Sequence, residues 1–209
     1  MTTKPILFST SMVQAILNAS KTQTRRKIKY NKKIANPEIG FSLFTDKDMF
    51  SVRGIHQNGE YGESFFKIPI CKDDVLWVRE TFADVSFGEA ICPQNICYKA
   101  DYSQKEIELP ENKGIWKPSI FMPKAACRIF LKVTEVCVER LNYISEEDAV
   151  AEGIETFYNK KFKETRYKDP VASFCSLWKS INGKESWEQN PLVWIYKFER
   201  IEKPKNFNL

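Results

Sequence analysis

The last regular segment of the chain constrains the fold more than any other. Residues 192–198 read Leu-Val-Trp-Ile-Tyr-Lys-Phe, so that bulky apolar side chains occupy every second position. A period of two residues is typical of a β-strand, because successive side chains point to opposite faces of a sheet. The segment therefore predicts a β-strand with one aromatic face.

Shorter strand-like runs precede this segment. KPILFST lies near the start of the chain, DVLWVRETF occupies residues 74–82, and residues 96–100 form a third run. Runs rich in β-branched and aromatic side chains favour strands. Residues 126–141 change the parity of their apolar positions, which indicates either a β-bulge near Thr134 or two separate strands.

Three helices are marked by their end signals. SMVQAILNAS, residues 11–20, follows the first strand with apolar residues at helical spacing. Ser145 caps a short acidic segment that Gly153 ends, and Asp169-Pro170 begins a helix that stops near Gly183. Because strands outnumber helices, we expect an α+β, mainly β fold, a small β-barrel with helices packed outside it.

The length of the chain fits one domain. Its 209 residues are 43% hydrophobic and 13% aromatic, which is enough apolar surface for a packed core, and no internal repeat is visible. Two irregular stretches, about residues 30–70 and 84–123, interrupt the strand pattern. We therefore predict a single domain over residues 1–209 with two insertions.

Several classes of protein are disfavoured by composition. No apolar run approaches the ~18 residues that span a bilayer, and the first residues lack the pattern of a secretion signal. The six cysteines form no CxxC pair, and one histidine, His56, is too few for a zinc site or a typical histidine-based triad. We expect a reduced, cytoplasmic protein with six free thiols and no membrane contact.

The segment KTQTRRK, residues 21–27, carries four cations and three small polar side chains without an apolar residue. This composition predicts a loop or a helix end with concentrated positive charge. A solvated basic loop is the simpler interpretation. The interleaved hydroxyl and amide groups and the net charge of +5 favour a polyanionic partner instead.

The same segment contains a potential nucleophile and a potential base. Lys21 and Thr24 stand three residues apart, so they share a face if this turn is helical. A threonine hydroxyl needs a base, and a lysine serves as one only if burial or neighbouring cations depress its pKa. The candidate acids are Glu80, after LWVR, and Glu152, at the helix end where the dipole disfavours negative charge. A salt bridge of Glu80 to Arg79 or Arg26, and an exposed helix-end Glu152, are the simpler interpretations.

Four segments together resemble the ASCH domain, a PUA-like β-barrel family. They are ILNASKTQTRR, DDVLWVRET, ISEEDAVAEGI and the aromatic closing strand. WKPSIFMPKAACRI and the ending FCSLWKSINGK…NPLVWIYKFER resemble the larger version found in phage and prophage proteins, so the resemblance covers nearly the whole chain.

This resemblance implies a site and a reaction. The small bacterial ASCH amidohydrolases remove the acetyl group of N4-acetylcytidine with a Lys-Thr-x-Thr-x-Arg motif and a downstream glutamate. Lys21, Thr22, Thr24 and Arg26 match the motif, and Glu152 matches the glutamate. The implied roles are base for Lys21, nucleophile for Thr24 and acid for Glu152, with no metal or organic cofactor. The chain departs from the family at Asp73-Asp74, where Gly-Asp is usual, and in its two insertions, which put the substrate in doubt.

The expected ligand is a modified nucleoside or RNA. Substrate contacts are expected from Thr22, Arg25, Arg26, Trp77, Arg79 and Glu80, the last two lying at a strand end that faces a cleft. Two alternatives stay open: a non-catalytic RNA-binding module in which Trp77 stacks a base, and a ribonuclease in which Lys21 and Arg26 stabilise the phosphorane. The residues predict no particular protein partner.

Overall fold

A computed structural model describes residues 2–29, 34–38, 49–56, 61–84, 95–102, 116–154 and 169–207. These residues contain three α-helices, α1 (Thr10–Leu17), α2 (Glu146–Ala151) and α3 (Pro170–Asn182). They also contain ten strands: β1 (Thr3–Leu7), β2 (Gln23–Lys27), β3 (Ile34–Glu38), β4 (Met49–His56), β5 (Tyr61–Lys67), β6 (Val75–Arg79), β7 (Phe82–Asp84), β8 (Ile96–Tyr98), β9 (Phe130–Arg140) and β10 (Leu192–Ile201). The predicted α+β class with a majority of strands is confirmed.

Five strands form the main sheet, in the order β1-β6-β9-β10-β2. β1 and β6 are parallel, and the other three pairs are antiparallel. In the long β9–β10 pair, Lys197 lies opposite Glu135 but Phe198 lies opposite Val133, so Thr134 is an extra residue. Of the two interpretations of residues 126–141, the bulge at Thr134 is therefore the right one, because the inserted residue reverses the parity of the strand.

The two edge strands of this sheet, β1 and β2, meet through side chains. Within the described residues no backbone ladder joins them, so the sheet is not closed into a barrel. Instead, Nη2 of Arg26 on β2 donates to the carbonyl oxygen of Leu7 on β1 at 2.7 Å. The Arg26 guanidinium also lies 5.3 Å from the ring centre of Phe8. We call the line along which β1 and β2 face each other the seam.

β10 is buried on both faces, so the main sheet has a packed layer on each side of this strand. Trp194 and Tyr196 pack with Ile28 and Ile68 on one face. On the other face, Val193 and Ile195 belong to a cluster that includes Phe174 and Trp178 of α3. The alternation that predicted this strand therefore separates two cores rather than a core and a solvent face.

Two smaller sheets accompany the main one. β3, β4 and β5 form an antiparallel sheet within the predicted insertion of residues 30–70, and β7 pairs with β8 at the start of the second insertion. Residues 30–33, 39–48, 57–60, 85–94 and 103–115 of the predicted insertions lie outside the described part of the chain.

The helix ends carry the predicted caps. The Ser145 hydroxyl accepts a hydrogen bond from the Asp148 amide at 3.1 Å, and an oxygen of Asp169 accepts one from the Val171 amide at 2.9 Å. After α2, Gly153 has a φ of +81°, which glycine adopts at little cost. A Cβ at Gly153 would lie 2.8 Å from Cβ of Ala15 and 2.9 Å from Cβ of Lys21. Glycine is therefore what allows the end of α2 to approach Lys21 this closely.

The described helices and cysteines add two observations. No helix in the described part of the chain is long and apolar enough to cross a bilayer. The five cysteines in the described residues are free thiols, and Cys92 of the predicted six lies outside them.

Gly153→Ala should destabilise the protein by roughly 1–3 kcal/mol, because it adds backbone strain and a collision with Ala15. Removing the Ala15 methyl should relieve part of that collision. In a double-mutant cycle by urea unfolding, Gly153→Ala and Ala15→Gly together should cost less than their sum by about 1 kcal/mol. Gly183→Ala is the matched control, because it also has a positive φ but its Cβ would meet nothing within 4 Å. The control cycle combines Gly183→Ala with Ala15→Gly. If the effects of Gly153→Ala and Ala15→Gly add as fully as the effects in this control cycle do, the close approach of Gly153 to Ala15 is wrong.

Candidate active site

Four of the seven residues of the basic segment are buried, which corrects the prediction of an exposed loop or helix end. Residues 23–27 form the edge strand β2, and Lys21, Gln23, Thr24 and Arg25 are each only 2–4% exposed. Burying cations is costly unless carboxylates and hydrogen-bond acceptors accompany them. Here α2 covers part of the free edge of β2 and supplies both.

Lys21 and Glu152 form a buried ion pair at the end of α2. Nζ of Lys21 lies 2.9 Å from Oε2 of Glu152 and 2.8 Å from the Glu152 carbonyl oxygen, and the lysine side chain is fully buried. The two residues also form a backbone bridge. Glu152, at 4% exposed, is therefore not the solvated helix-end residue of the simpler interpretation.

Burial lowers the pKa of the Lys21 amine, and the nearby positive charges of Arg26 and Arg25 act in the same direction. The negative charge of Glu152 and its hydrogen bond oppose this shift without cancelling it. A lysine whose pKa is lowered loses its proton more easily, which is the property that a general base requires.

Arg25 of β2 contributes to the same cluster. Its Nη1 lies 3.3 Å from Oε1 of Glu152, and its Nη2 lies 2.6 Å from Oδ2 of Asp148. The Arg25 side chain has no exposed surface, so the structure assigns it to holding α2 against β2 rather than to the predicted substrate contact. Both oxygens of Glu152 thus accept a hydrogen bond from a cation.

Thr24 points to the face opposite Arg25. It lies across from Tyr196 in the β2–β10 register, as Arg26 lies across from Trp194, and directly opposed residues share a face. Within the described part of the chain, the Thr24 hydroxyl has no hydrogen-bond partner. Thr24 and Glu152 both line a small cavity of about 60 Å³.

The expected helical turn that would place Lys21 and Thr24 on one face is absent, because the segment is extended. The lysine side chain instead bends toward the seam. Its Nζ lies 5.7 Å from the ring centre of Phe8, the same ring that the Arg26 guanidinium faces. Lys21 and Arg26 are therefore brought to one place by Phe8, the residue that follows β1.

Arg26 lies on the Thr24 face of β2 and is half-buried. Burial lowers its pKa, while the charges of Glu152 and Tyr196 act in the opposite direction. Because arginine is far more basic than neutral water even after this shift of its pKa, the side chain stays charged at neutral pH. Arg26 thus supplies a fixed positive charge beside the Thr24 hydroxyl.

The structure places Glu80 elsewhere, in a buried pair with Arg128. Oε1 and Oε2 of Glu80 accept from Nε and Nη2 of Arg128 at 2.9 and 3.0 Å. Burial raises the pKa of Glu80, and the Arg128 guanidinium opposes that shift. With 1% exposure, Glu80 is not a strand-end charge facing a cleft, and its partner is neither Arg79 nor Arg26.

Arg79 and Trp77 belong to a third group. Arg79 donates from Nε to the Met122 carbonyl oxygen at 3.0 Å and from Nη2 to the Ile120 carbonyl oxygen. Its guanidinium lies 5.6 Å from the Trp77 ring centre, and Trp77 makes an edge contact with Phe207. The predicted substrate contacts therefore do not form one group. Thr22 is exposed beside β2, whereas Trp77 and Arg79 lie on β6.

Sequence reasoning missed Asp148 and Phe8. Asp148 stands four residues before Glu152, a spacing that puts both carboxylates on one face of a helix and could have indicated the Arg25 partner. Phe8 follows β1 and carries no polar group, so no local pattern marks it as part of the site. In the described ranges no cluster of three or more potential ligands could hold a metal ion.

The lowered pKa of Lys21 predicts how stability depends on pH. The cost of burying the charged amine is fully present below the folded-state pKa and disappears as pH rises to the ordinary value of 10.5. The free energy of unfolding of the wild type, relative to Lys21→Met, should therefore increase as the pH is raised toward 10.5. Urea unfolding at a series of pH values measures this difference. A parallel pH dependence in both proteins would contradict the lowered pKa.

Comparison with known protein families, with curated proteins and with solved structures finds no match for this chain. The geometry of the described residues is therefore the basis for the function proposed below.

Proposed function

We propose that the protein is an ASCH-type amidohydrolase that binds a modified nucleoside or an exposed base of RNA and hydrolyses an acyl amide such as that of N4-acetylcytidine. One observation carries the proposal. Just before the edge strand β2, the fully buried Lys21, whose pKa is lowered, is hydrogen-bonded to the Glu152 carboxylate, and β2 itself carries the Thr24 hydroxyl, which has no hydrogen-bond partner among the described residues.

The main sheet supports a PUA-like fold. Its five strands curl so that the two edge strands meet along the seam, where Arg26 and Phe8 take the place of a backbone ladder. The ends of α1 and α2 flank the site, since the Lys21 amide donates to the Ala15 carbonyl and the Thr22 amide donates to the Ala151 carbonyl. A barrel opening flanked by these two helices is the arrangement that the ASCH resemblance implies.

In the proposed reaction, the neutral Lys21 amine accepts the proton of the Thr24 hydroxyl as Oγ attacks the acyl carbonyl carbon. The tetrahedral intermediate then expels the amine of the base. Its proton comes from Glu152, which receives one from the Lys21 ammonium across their 2.9 Å hydrogen bond. Water hydrolyses the threonine ester by the reverse proton path and restores both groups.

Arg26 has a separate role in this proposal. The tetrahedral intermediate carries a negatively charged oxygen, and a fixed cation in a partly desolvated site stabilises it. Arg26 is suited to this because its position is held by Leu7 and Phe8 rather than by a carboxylate. The reaction requires no metal or organic cofactor.

A non-catalytic binding module is the second candidate, and a specific contact favours it. Lys21 and Arg25 occupy both oxygens of Glu152, as they would if the cluster only held α2 against β2. In that case the basic segment would bind a nucleic acid without breaking a bond. The two candidates differ in whether Thr24 is needed for anything but packing.

Thr24→Val should abolish hydrolysis of N4-acetylcytidine and leave the fold intact. Valine keeps the shape of threonine, and the hydroxyl it removes has no partner in the described residues, so the change in unfolding free energy should be within about 1 kcal/mol. Release of cytidine, followed by mass spectrometry, measures the reaction. Thr24→Ser should retain measurable turnover because it keeps the nucleophile.

Thr134→Val is the matched control, since Thr134 is exposed on β9 and belongs to none of the predicted contacts. It should hydrolyse the nucleoside at nearly the wild-type rate. Equal turnover by Thr24→Val and the wild type rules out Thr24 as the nucleophile. No turnover by the wild type, with RNA binding retained in both variants, supports the binding module instead.

A further inference from the structure

The small cavity that Thr24 and Glu152 line lies at the free edge of β2. Among the described strands of the main sheet, β2 has a neighbour only on its β10 side. The consecutive residues Thr24 to Lys27 line the cavity, so both faces of β2 border on it. A group that occupies the cavity therefore lies next to the candidate nucleophile.

The remaining wall of the cavity is largely apolar and belongs to two helices. Met12 of α1 lines it together with Phe174, Leu177 and Ile181 of α3. Phe174 is buried, Leu177 is half-buried and Ile181 is exposed, so the wall runs from the core to the surface. Such a wall favours a hydrocarbon group, because apolar surface gains free energy when it leaves water.

The size of the cavity limits what it can hold. Its volume is about 60 Å³, which is the liquid volume of about two water molecules at about 30 Å³ each. Pockets that enclose a whole small-molecule ligand measure about 300–1,000 Å³. The cavity therefore has room for a group of a few non-hydrogen atoms, such as an acetyl group, but not for a nucleoside.

The polar groups around the cavity favour an acceptor oxygen. Trp178 lines it and is 4% exposed, and its Nε1 is enclosed without a hydrogen-bond partner among the described residues. An indole N–H can only donate, and buried N–H groups almost always have an acceptor. Among the described residues that line the cavity, the cations Arg25, Arg26 and Lys27 outnumber the one carboxylate, Glu152. This excess of positive charge favours an oxygen that carries negative charge.

We infer that this cavity is the acyl subsite of the proposed reaction and restricts that reaction to short acyl groups. The methyl of an acetyl group lies against Phe174 and Leu177, its oxygen accepts from the Trp178 N–H, and the base stays outside. This assignment rests on the proposed function and narrows its substrate class to amides of a two-carbon acid. A butanoyl group has two more carbons, which would collide with the walls from α1 and α3.

The first test widens the cavity and compares two substrates. Leu177→Ala removes three carbons from the wall, and Val171→Ala is the matched control, because Val171 is also a half-buried apolar residue of α3 but does not line the cavity. The release of cytidine from N4-acetylcytidine and from N4-butanoylcytidine gives kcat/KM for each substrate. Circular dichroism checks that both variants fold, and Leu177→Val replaces Leu177→Ala if that variant does not.

The wild type should favour the acetyl substrate by about tenfold or more in kcat/KM, since a single surplus methylene in a filled pocket costs about tenfold. Leu177→Ala should raise the ratio of butanoyl to acetyl turnover by about tenfold, and the control should leave this ratio unchanged. If the wild type hydrolyses both substrates and Leu177→Ala alters the ratio no more than the control does, the acyl subsite is wrong and the reaction stands.

The second test needs no turnover and uses acetate, the product of the proposed reaction. The chain has five tryptophans, whose indole N–H groups give separate signals in a ¹H–¹⁵N spectrum. The Trp178 signal is the one missing from Trp178→Phe, or is assigned by triple-resonance experiments if that variant does not fold.

Acetate should shift the Trp178 signal in a saturable way, and butanoate should do so only in Leu177→Ala. This result in a protein that hydrolyses neither substrate means that the reaction fails and the acyl subsite stands. A Trp178 signal that does not respond to acetate overturns the subsite.

Discussion

The burial of cations on an edge strand is the constraint on which the rest of this structure depends. β2 carries Lys21 just before it and Arg25 within it, and neither side chain is exposed. Such charges are tolerated only where carboxylates of fixed geometry meet them. Glu152 and Asp148 of α2 do so, and Gly153 allows the end of that helix to come close enough. The position of α2, the lowered pKa of Lys21 and the covered sheet edge all follow from this one cluster.

The contacts along the seam also depend on how the cations of β2 are placed. Because Arg25 turns toward α2, its neighbour Arg26 must turn to the other face, where it reaches Leu7 on the opposite edge strand and Phe8 just after it. The alternation of side chains along β2 thus points Arg25 toward α2 and Arg26 toward the seam. Thr24 shares the face of Arg26, which places the candidate nucleophile beside a half-buried cation of the basic segment.

The sequence predicted what local chemistry determines. Strand periodicity predicted β10, the change of parity indicated a bulge near Thr134, and cap residues predicted the ends of α2 and α3. Long-range pairing could not be obtained this way. Arg25 meets Glu152 across 127 positions and Glu80 meets Arg128 across 48, and no local pattern encodes either partner. The basic segment was therefore predicted to be exposed, although the family resemblance singled out Lys21 and Glu152, which the fold brings together.

The central claim is that this buried cluster activates the Thr24 hydroxyl as a nucleophile, and an acyl-threonine intermediate is its most direct consequence. The protein should be mixed with N4-acetylcytidine, quenched in acid at short times, digested, and examined by peptide mass spectrometry. We predict that the peptide containing Thr24 carries an acetyl group on that residue while cytidine accumulates. Cytidine released with Thr24 unmodified at every quench time, or no cytidine released at all, would contradict the claim.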